Sequence, residues 1–166
     1  MLTGWNLIGT DTYYFDTASG AKQVGWMNLD GGVYYLGTEG ALHVGLHAIG
    51  DGTYFFDAAG RLYTGFWTDG VNTLYFSPVD GKQAKGWTAI DSGIYYFAQD
   101  SGIMYTGLQN IDDKIYLFDA SGKMQTGWQE IGDQTLYYFG EDGALDQVLN
   151  VTVREELRIR AQSVLP

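Results

Sequence analysis

Gly4-Trp5-Asn6-Leu7-Ile8-Gly9-Thr10-Asp11-Thr12-Tyr13-Tyr14-Phe15-Asp16, closed by Ser19-Gly20, is two short runs of strand-forming residues around a Gly-Thr-Asp turn. That pattern reads as a β-hairpin. The same phrase reopens at Gly25, Gly45, Gly65, Gly86, Gly107 and Gly127, so the spacing is always 20 or 21 residues, a solenoid period. A lone hairpin is marginal in water, and units this short must lend one another their apolar faces. The expected fold class is therefore all-β: a β-hairpin solenoid of about seven 20–21-residue repeats.

Within each repeat the turn chemistry is explicit. The hairpin tips vary as Asp30-Gly31-Gly32, Gly50-Asp51-Gly52 and Asp91-Ser92-Gly93, residues that suit positive φ. A second glycine turn, at Gly20, Gly40, Gly60, Gly81, Gly102, Gly122 and Gly143, precedes four residues that lead into the next hairpin. Side chains alternate along a strand, so Tyr13 and Phe15 share one face and Tyr14 takes the other. The first set, continued by Tyr34 with Leu36, Tyr54 with Phe56, Leu74 with Phe76, Tyr95 with Phe97, Tyr116 with Phe118 and Tyr137 with Phe139, is the expected core. The opposite set, Tyr14, Tyr35, Phe55, Tyr75, Tyr96, Leu117 and Tyr138, is expected to be exposed or to line grooves.

The array is expected to stop near residue 148, where Val148 stands in place of the next glycine. Residues 1–148 are read as the repeat solenoid. Residues 149–166 are read as a C-terminal cap, a linker or the start of a further domain, with Val151-Thr152-Val153 and Leu157-Arg158-Ile159-Arg160-Ala161 alternating like strands.

Composition narrows the function. Of 166 residues 16% are aromatic and 24 are Gly, which excludes disorder and a helical fold. The formal net charge of −11 repels polyphosphates, so nucleic acid is not an expected partner. There are no cysteines, hence no disulfides and no thiolate metal sites. No stretch of 18 apolar residues is present, so membrane insertion is not expected. Met1 runs almost directly into the first repeat without a leader, and the chain is expected to be a piece of a larger exported protein.

The motif Gly-Trp, then Tyr-Tyr-Phe, then Gly with four residues before the next Gly, in seven copies over residues 4–147, resembles the cell-wall-binding, or choline-binding, repeat family. Its relatives are the glucan-binding repeats of glucansucrases and the short repeats of large clostridial toxins. The resemblance implies a non-catalytic attachment module, extracellular and associated with a cell surface or wall, that holds an effector on a wall polymer, a glucan or a glycan. In the choline-binding branch it also implies an aromatic box for a quaternary ammonium, made of the Trp after the opening glycine, a second Trp before Tyr-Tyr, and a Tyr of the adjoining repeat. Trp5, Trp26, Trp87 and Trp128 match the first position, and Leu46, Phe66 and Leu108 replace it elsewhere. The second Trp is replaced throughout, by Thr12, Val33, Thr53, Thr73, Ile94, Ile115 and Leu136. A cage missing one wall shifts the expectation from choline toward sugars, which stack on exposed rings flanked by polar edges such as Gln109, Asn110, Gln129 and Glu130.

The expected ligand-binding residues are Trp5 with Tyr14 and Tyr35, Trp26 with Tyr35, Trp87 with Tyr96, and Trp128 with Tyr138. The alternatives are choline-specific teichoic-acid binding, toxin-like host-glycan binding and a purely structural spacer. A hydrolase is a further rival, but no Ser-His-Asp set or nucleotide loop is present, and Asp112-Asp113 and Glu141-Asp142 fall on expected turns. His43 and His47 lack a Cys or carboxylate partner in sequence, so no metal and no cofactor is expected.

Overall fold

Each repeat opens on glycine because the backbone must turn left-handed there. Gly45 has φ of +84° with open space where a Cβ would stand, so the dihedral alone selects glycine. At the second turn both reasons act: Gly60 has φ of +75°, and a Cβ would lie 2.6 Å from Leu42 Cδ2 of the preceding repeat. The recurrent glycines are thus one backbone requirement and one packing requirement.

The computed structural model describes residues 1–132 and 135–150. Its strands pair as seven antiparallel hairpins. In chain order they are β1 (Gly4–Ile8) with β2 (Asp11–Phe15), β3 (Gly25–Leu29) with β4 (Gly32–Leu36), β5 (Gly45–Ile49) with β6 (Gly52–Phe56), and β7 (Gly65–Thr68) with β8 (Thr73–Phe76). They continue with β9 (Gly86–Ile90) and β10 (Gly93–Phe97), β11 (Gly107–Ile111) and β12 (Lys114–Phe118), and β13 (Gly127–Glu130) and β14 (Thr135–Phe139). A last strand, β15 (Leu145–Asn150), adds to β14 with Tyr138 opposite Gln147. Asp30, Asp91, Asp112 and Asp113 at the tips have positive φ, a conformation Asp tolerates better than most residues.

Two compact units emerge, Met1–Ala84 and the remainder from Lys85. Within the first, the linkers after the second, third and fourth hairpins each send a backbone bond one hairpin further back than their own: Leu42 donates to the Thr12 carbonyl, Leu62 to Val33 and Gln83 to Thr53. In the second, Met124 donates to Ile94. One bond per junction is little, and side chains supply the rest. Leu36, Phe56, Phe76, Phe97, Phe118 and Phe139 are fully buried, each the last residue of its aromatic triplet, and burying such a side chain stabilises the fold by about 1.5–3 kcal/mol.

The expected division of faces holds for Tyr34, Tyr54, Leu74 and Tyr116, which are buried beside those residues. It fails at the first hairpin of each unit and at Tyr137 of β14, which is half-buried. Tyr13, Phe15 and Tyr95 are only half-buried, whereas Tyr14 and Tyr96, assigned to the open face, are 9% and 8% exposed. Tyr14 is covered by Trp5 and Tyr96 by Trp87. The position 148/149 lies inside β15, and the strand-like stretches at 151–153 and 157–161 lie outside the described residues.

Candidate functional site: aromatic clefts between hairpins

Hairpin register places each Trp beside the second Tyr of its own triplet: Trp5 opposes Tyr14, Trp26 opposes Tyr35, Trp87 opposes Tyr96 and Trp128 opposes Tyr138. Cross-strand neighbours of this kind touch. Trp5 meets Tyr14 at 4.9 Å between centroids with the planes 67° apart, Trp26 meets Tyr35 at 5.0 Å, Trp87 meets Tyr96 at 5.0 Å and Trp128 meets Tyr138 at 5.1 Å. All four indoles stay half-open, at 38%, 46%, 42% and 47% exposure respectively.

A third ring comes from the next hairpin, and its identity was not foreseen. Trp5 also contacts Tyr34 (5.1 Å), Trp26 contacts Tyr54 (4.9 Å) and Trp87 contacts Tyr116 (4.7 Å). The expected pairing of Trp5 with Tyr35 does not form; Tyr35 meets Trp26 and His43 instead. The reason is geometric. The face of a triplet that is the core side of its own hairpin is also the face that closes over the preceding hairpin's Trp, so the first Tyr of the next repeat is the one presented. Tyr54 and Tyr116 line the open clefts, while the second tyrosines back the indoles from behind.

Those clefts share one template. Trp87, Ile94, Tyr116 and Met124, with Glu141 and Asp142 on the rim, bound a volume of about 390 Å³. Trp26, Val33, Tyr54 and Leu62, with Arg61 and Asp80 on the rim, bound about 490 Å³. Ile94 and Val33 occupy the place of the missing second Trp, so that wall is aliphatic and the remaining walls are aromatic. Asp142 is held below the usual carboxylate range by the Ala144 amide first and then by Lys114, whose Nζ donates at 3.4 Å. It is therefore ionised at neutral pH.

Trp128 differs. Among the described residues Tyr138 is the only ring against it, and Leu145–Asn150 run as β15 along β14. The fifth indole, Trp67, rests on Phe55 at 4.8 Å and belongs to packing. The amides proposed as sugar edges are engaged locally: Gln109 Nε2 donates to Thr106 O at 2.7 Å and Gln129 Nε2 to Thr126 O at 3.0 Å.

His43 and His47 stack face to face at 3.9 Å, and His43 packs edge-on against Tyr35 at 5.0 Å. His43 Nδ1 is buried without a partner, and burial first, then His47, holds its pKa below the ordinary 6.5. Among the described residues no group of three metal-ligating side chains exists, and no helix is long and apolar enough to cross a membrane.

A family model of the choline-binding repeat matches residues 63–107 and 105–146, together half of the 166-residue chain. The chain belongs to the choline-binding repeat family. Choline-binding repeats also supply the solved structures it resembles. CbpJ of Streptococcus pneumoniae TIGR4 is 28% identical over 87% of this chain and 52% of its own, with a TM-score of 0.81. Choline binding protein F of Streptococcus pneumoniae, crystallised in the presence of a peptidoglycan analogue, is 26% identical over 88% of this chain and 47% of its own, with a TM-score of 0.80. The choline-binding domain of CbpL from the same organism is 26% identical over 88% of this chain and 78% of its own, with a TM-score of 0.61. The chain thus spans about half the length of the first two. Comparison with curated protein sequences gives no match. The choline-binding repeat is a binding module, and its relatives are cell-surface or wall-associated proteins.

Proposed function

We propose that this chain is a non-catalytic attachment module that holds a larger exported protein on a bacterial cell-wall polymer, gripping quaternary ammonium substituents of the polymer in the clefts between hairpins. The observation that carries this reading is the cleft walled by the rings of Trp87 and Tyr116, with Tyr96 backing a half-open indole and an acidic rim of Glu141 and Asp142. A quaternary ammonium offers no hydrogen-bond donor, so π-faces and nearby carboxylates are what can recognise it. Tyr116 is the adjoining-repeat Tyr that such a box calls for, the wall of the absent second Trp is the aliphatic Ile94, and the carboxylates of Glu141 and Asp142 supply a charge for a cation to meet. This turns the balance from sugars toward a cation.

A single corner of this kind binds weakly, and repetition on one chain raises avidity for a polymer that repeats its substituent. The Trp5, Trp26 and Trp87 clefts would act together, with the two-ring Trp128 site weakest. The experiment is retention on a choline-bearing support. Elution by free choline, but not by sodium chloride of equal ionic strength, supports the reading; release by salt alone would show ion exchange driven by the net charge of −11. Retention on plain dextran that free choline does not reverse would instead favour the sugar reading.

A further inference from the structure

The chain's two histidines meet where the second hairpin passes into the third. His43, two residues before Gly45, packs against Tyr35 and Phe56 at 5.0 and 6.4 Å, and His47, two residues after that glycine, stacks on His43 at 3.9 Å. The next junction repeats this layer with other rings. Tyr63 stands in the place of His43 and meets Phe55 and Phe76 at 5.9 and 6.4 Å, while Trp67 stands in the place of His47. Both joints are aromatic, but imidazole alone among these side chains gains a charge between roughly pH 8 and 5.

We propose that His43 and His47 form an acid-released joint: proton uptake by His43 loosens the packing of the third hairpin on the second, behind Trp26, while the Tyr63–Trp67 joint does not respond. This is independent of what the clefts bind. His43 Nδ1 is buried without a hydrogen-bond partner, which a neutral ring tolerates at its bare nitrogen. In the imidazolium both nitrogens are donors, so a buried N–H would go unmatched. The new charge would also lack a counter-charge. β4, β5 and β6 carry no charged side chain, and besides His47 their titratable groups are the phenols of Tyr34, Tyr35 and Tyr54, a group type that is neutral in acid. Glu39 lies in the linker, its carbonyl bonded by Lys22 Nζ at 2.8 Å, and Asp57 lies past Phe56 with its carboxylate taken up by the amides of Ala59 and Arg61. Among the described residues neither imidazole has a carboxylate within ion-pair distance. His47 itself is pinned, its Nε2 donating to the Val44 carbonyl at 2.9 Å. Burial and the His47 charge both hold His43 neutral in the fold, so the opened chain binds the proton better and acid favours opening. The change reaches the cleft because the two rings against His43, Tyr35 and Phe56, also meet Trp26 at 5.0 and 5.9 Å.

The test follows the full chain by NMR between pH 7.5 and 5, roughly the window of an ordinary His. Amide hydrogen exchange, corrected for the intrinsic rate at each pH, is compared at two matched pairs of bonds. Leu42 and His43 donate to the Thr12 and Tyr35 carbonyls at the histidine joint, and Leu62 and Tyr63 donate to Val33 and Phe55 at the next one. Protection at Leu42 and His43 should fall by up to about tenfold per pH unit, the effect of one proton. The Trp26 indole N–H signal should move over the same range, while Leu62, Tyr63 and the Trp87 indole hold still. His43→Tyr with His47→Trp copies the next joint, and His43→Gln with His47→Gln copies Gln125 and Gln129; whichever pair keeps the native spread of signals at pH 7.5 should lose the response. The contrast between the two joints in the unaltered chain is decisive by itself. Equal loss of protection at both joints, a flat profile at Leu42 and His43, or a response that persists without the histidines overturns the proposal.

Discussion

Replacing Trp87 by Leu separates a ring that binds from a ring that merely packs. The substitution is one the chain already uses, since Leu46 and Leu108 hold the same position in two other repeats. Trp87 is 42% exposed and meets Tyr96 and Tyr116 edge-on at 5.0 and 4.7 Å. Loss of two such pairs costs about 1–2 kcal/mol of stability after partial exposure is allowed for. For a chain of this length that lowers the melting midpoint by roughly 2–8 °C. The ligand term is separate. A cation over one indole contributes about 0.5–2 kcal/mol depending on desolvation, so choline at that cleft should weaken by roughly 2- to 30-fold. Calorimetric titration of choline into the intact chain and the Trp87→Leu variant measures this, with Trp67→Leu as the comparison because Trp67 packs on Phe55 away from the clefts. Trp67→Leu should lower the midpoint and leave choline binding intact. If Trp87→Leu lowered the midpoint yet left both stoichiometry and affinity unchanged, the indole would be a packing residue and the argument would be refuted.

Three further outcomes are expected. Ile94→Trp restores an aromatic wall at a position that lines the Trp87 cleft and is partly exposed; choline affinity should rise by about 0.5–1 kcal/mol in the same titration, and no gain would mean the ligand does not reach that wall. His43 has its folded pKa depressed below 6.5, so between the two values the unfolded chain binds more protons and stability must fall as pH drops below about 6.5, levelling once the folded value is passed. Melting curves of the native chain and His43→Gln between pH 7.5 and 5, given roughly as the window of an ordinary His, should diverge, with the variant flat; tracking of the two would exclude the stacked pair as the cause. Gly60→Ala should cost more stability than Gly45→Ala, because both carry the left-handed penalty of ~1–2 kcal/mol but only Gly60 would also press on Leu42; equal losses in thermal melts would show that Leu42 gives way freely.

The sequence by itself determined the repeat, the hairpins and most of the core. The 20–21-residue period, the glycines whose φ no other residue adopts readily, and the two-residue alternation in Tyr-Tyr-Phe are all local properties, and local backbone chemistry reads directly from sequence. It also paired Trp26 with Tyr35, Trp87 with Tyr96 and Trp128 with Tyr138, because the cross-strand partner follows from the hairpin register alone. What only the tertiary structure decided was the third wall. Tyr34, Tyr54 and Tyr116 sit one repeat downstream of the indoles they meet, and alternation within a strand says which face they are on, not whose groove that face will close. The charge of each rim was hidden for the same reason: Arg61, Asp80, Glu141 and Asp142 reach the clefts from one and two repeats further along. Contacts across a stack depend on how hairpins pack against each other, and that rotation is set by the summed shape of buried side chains and not by any one repeat's residues.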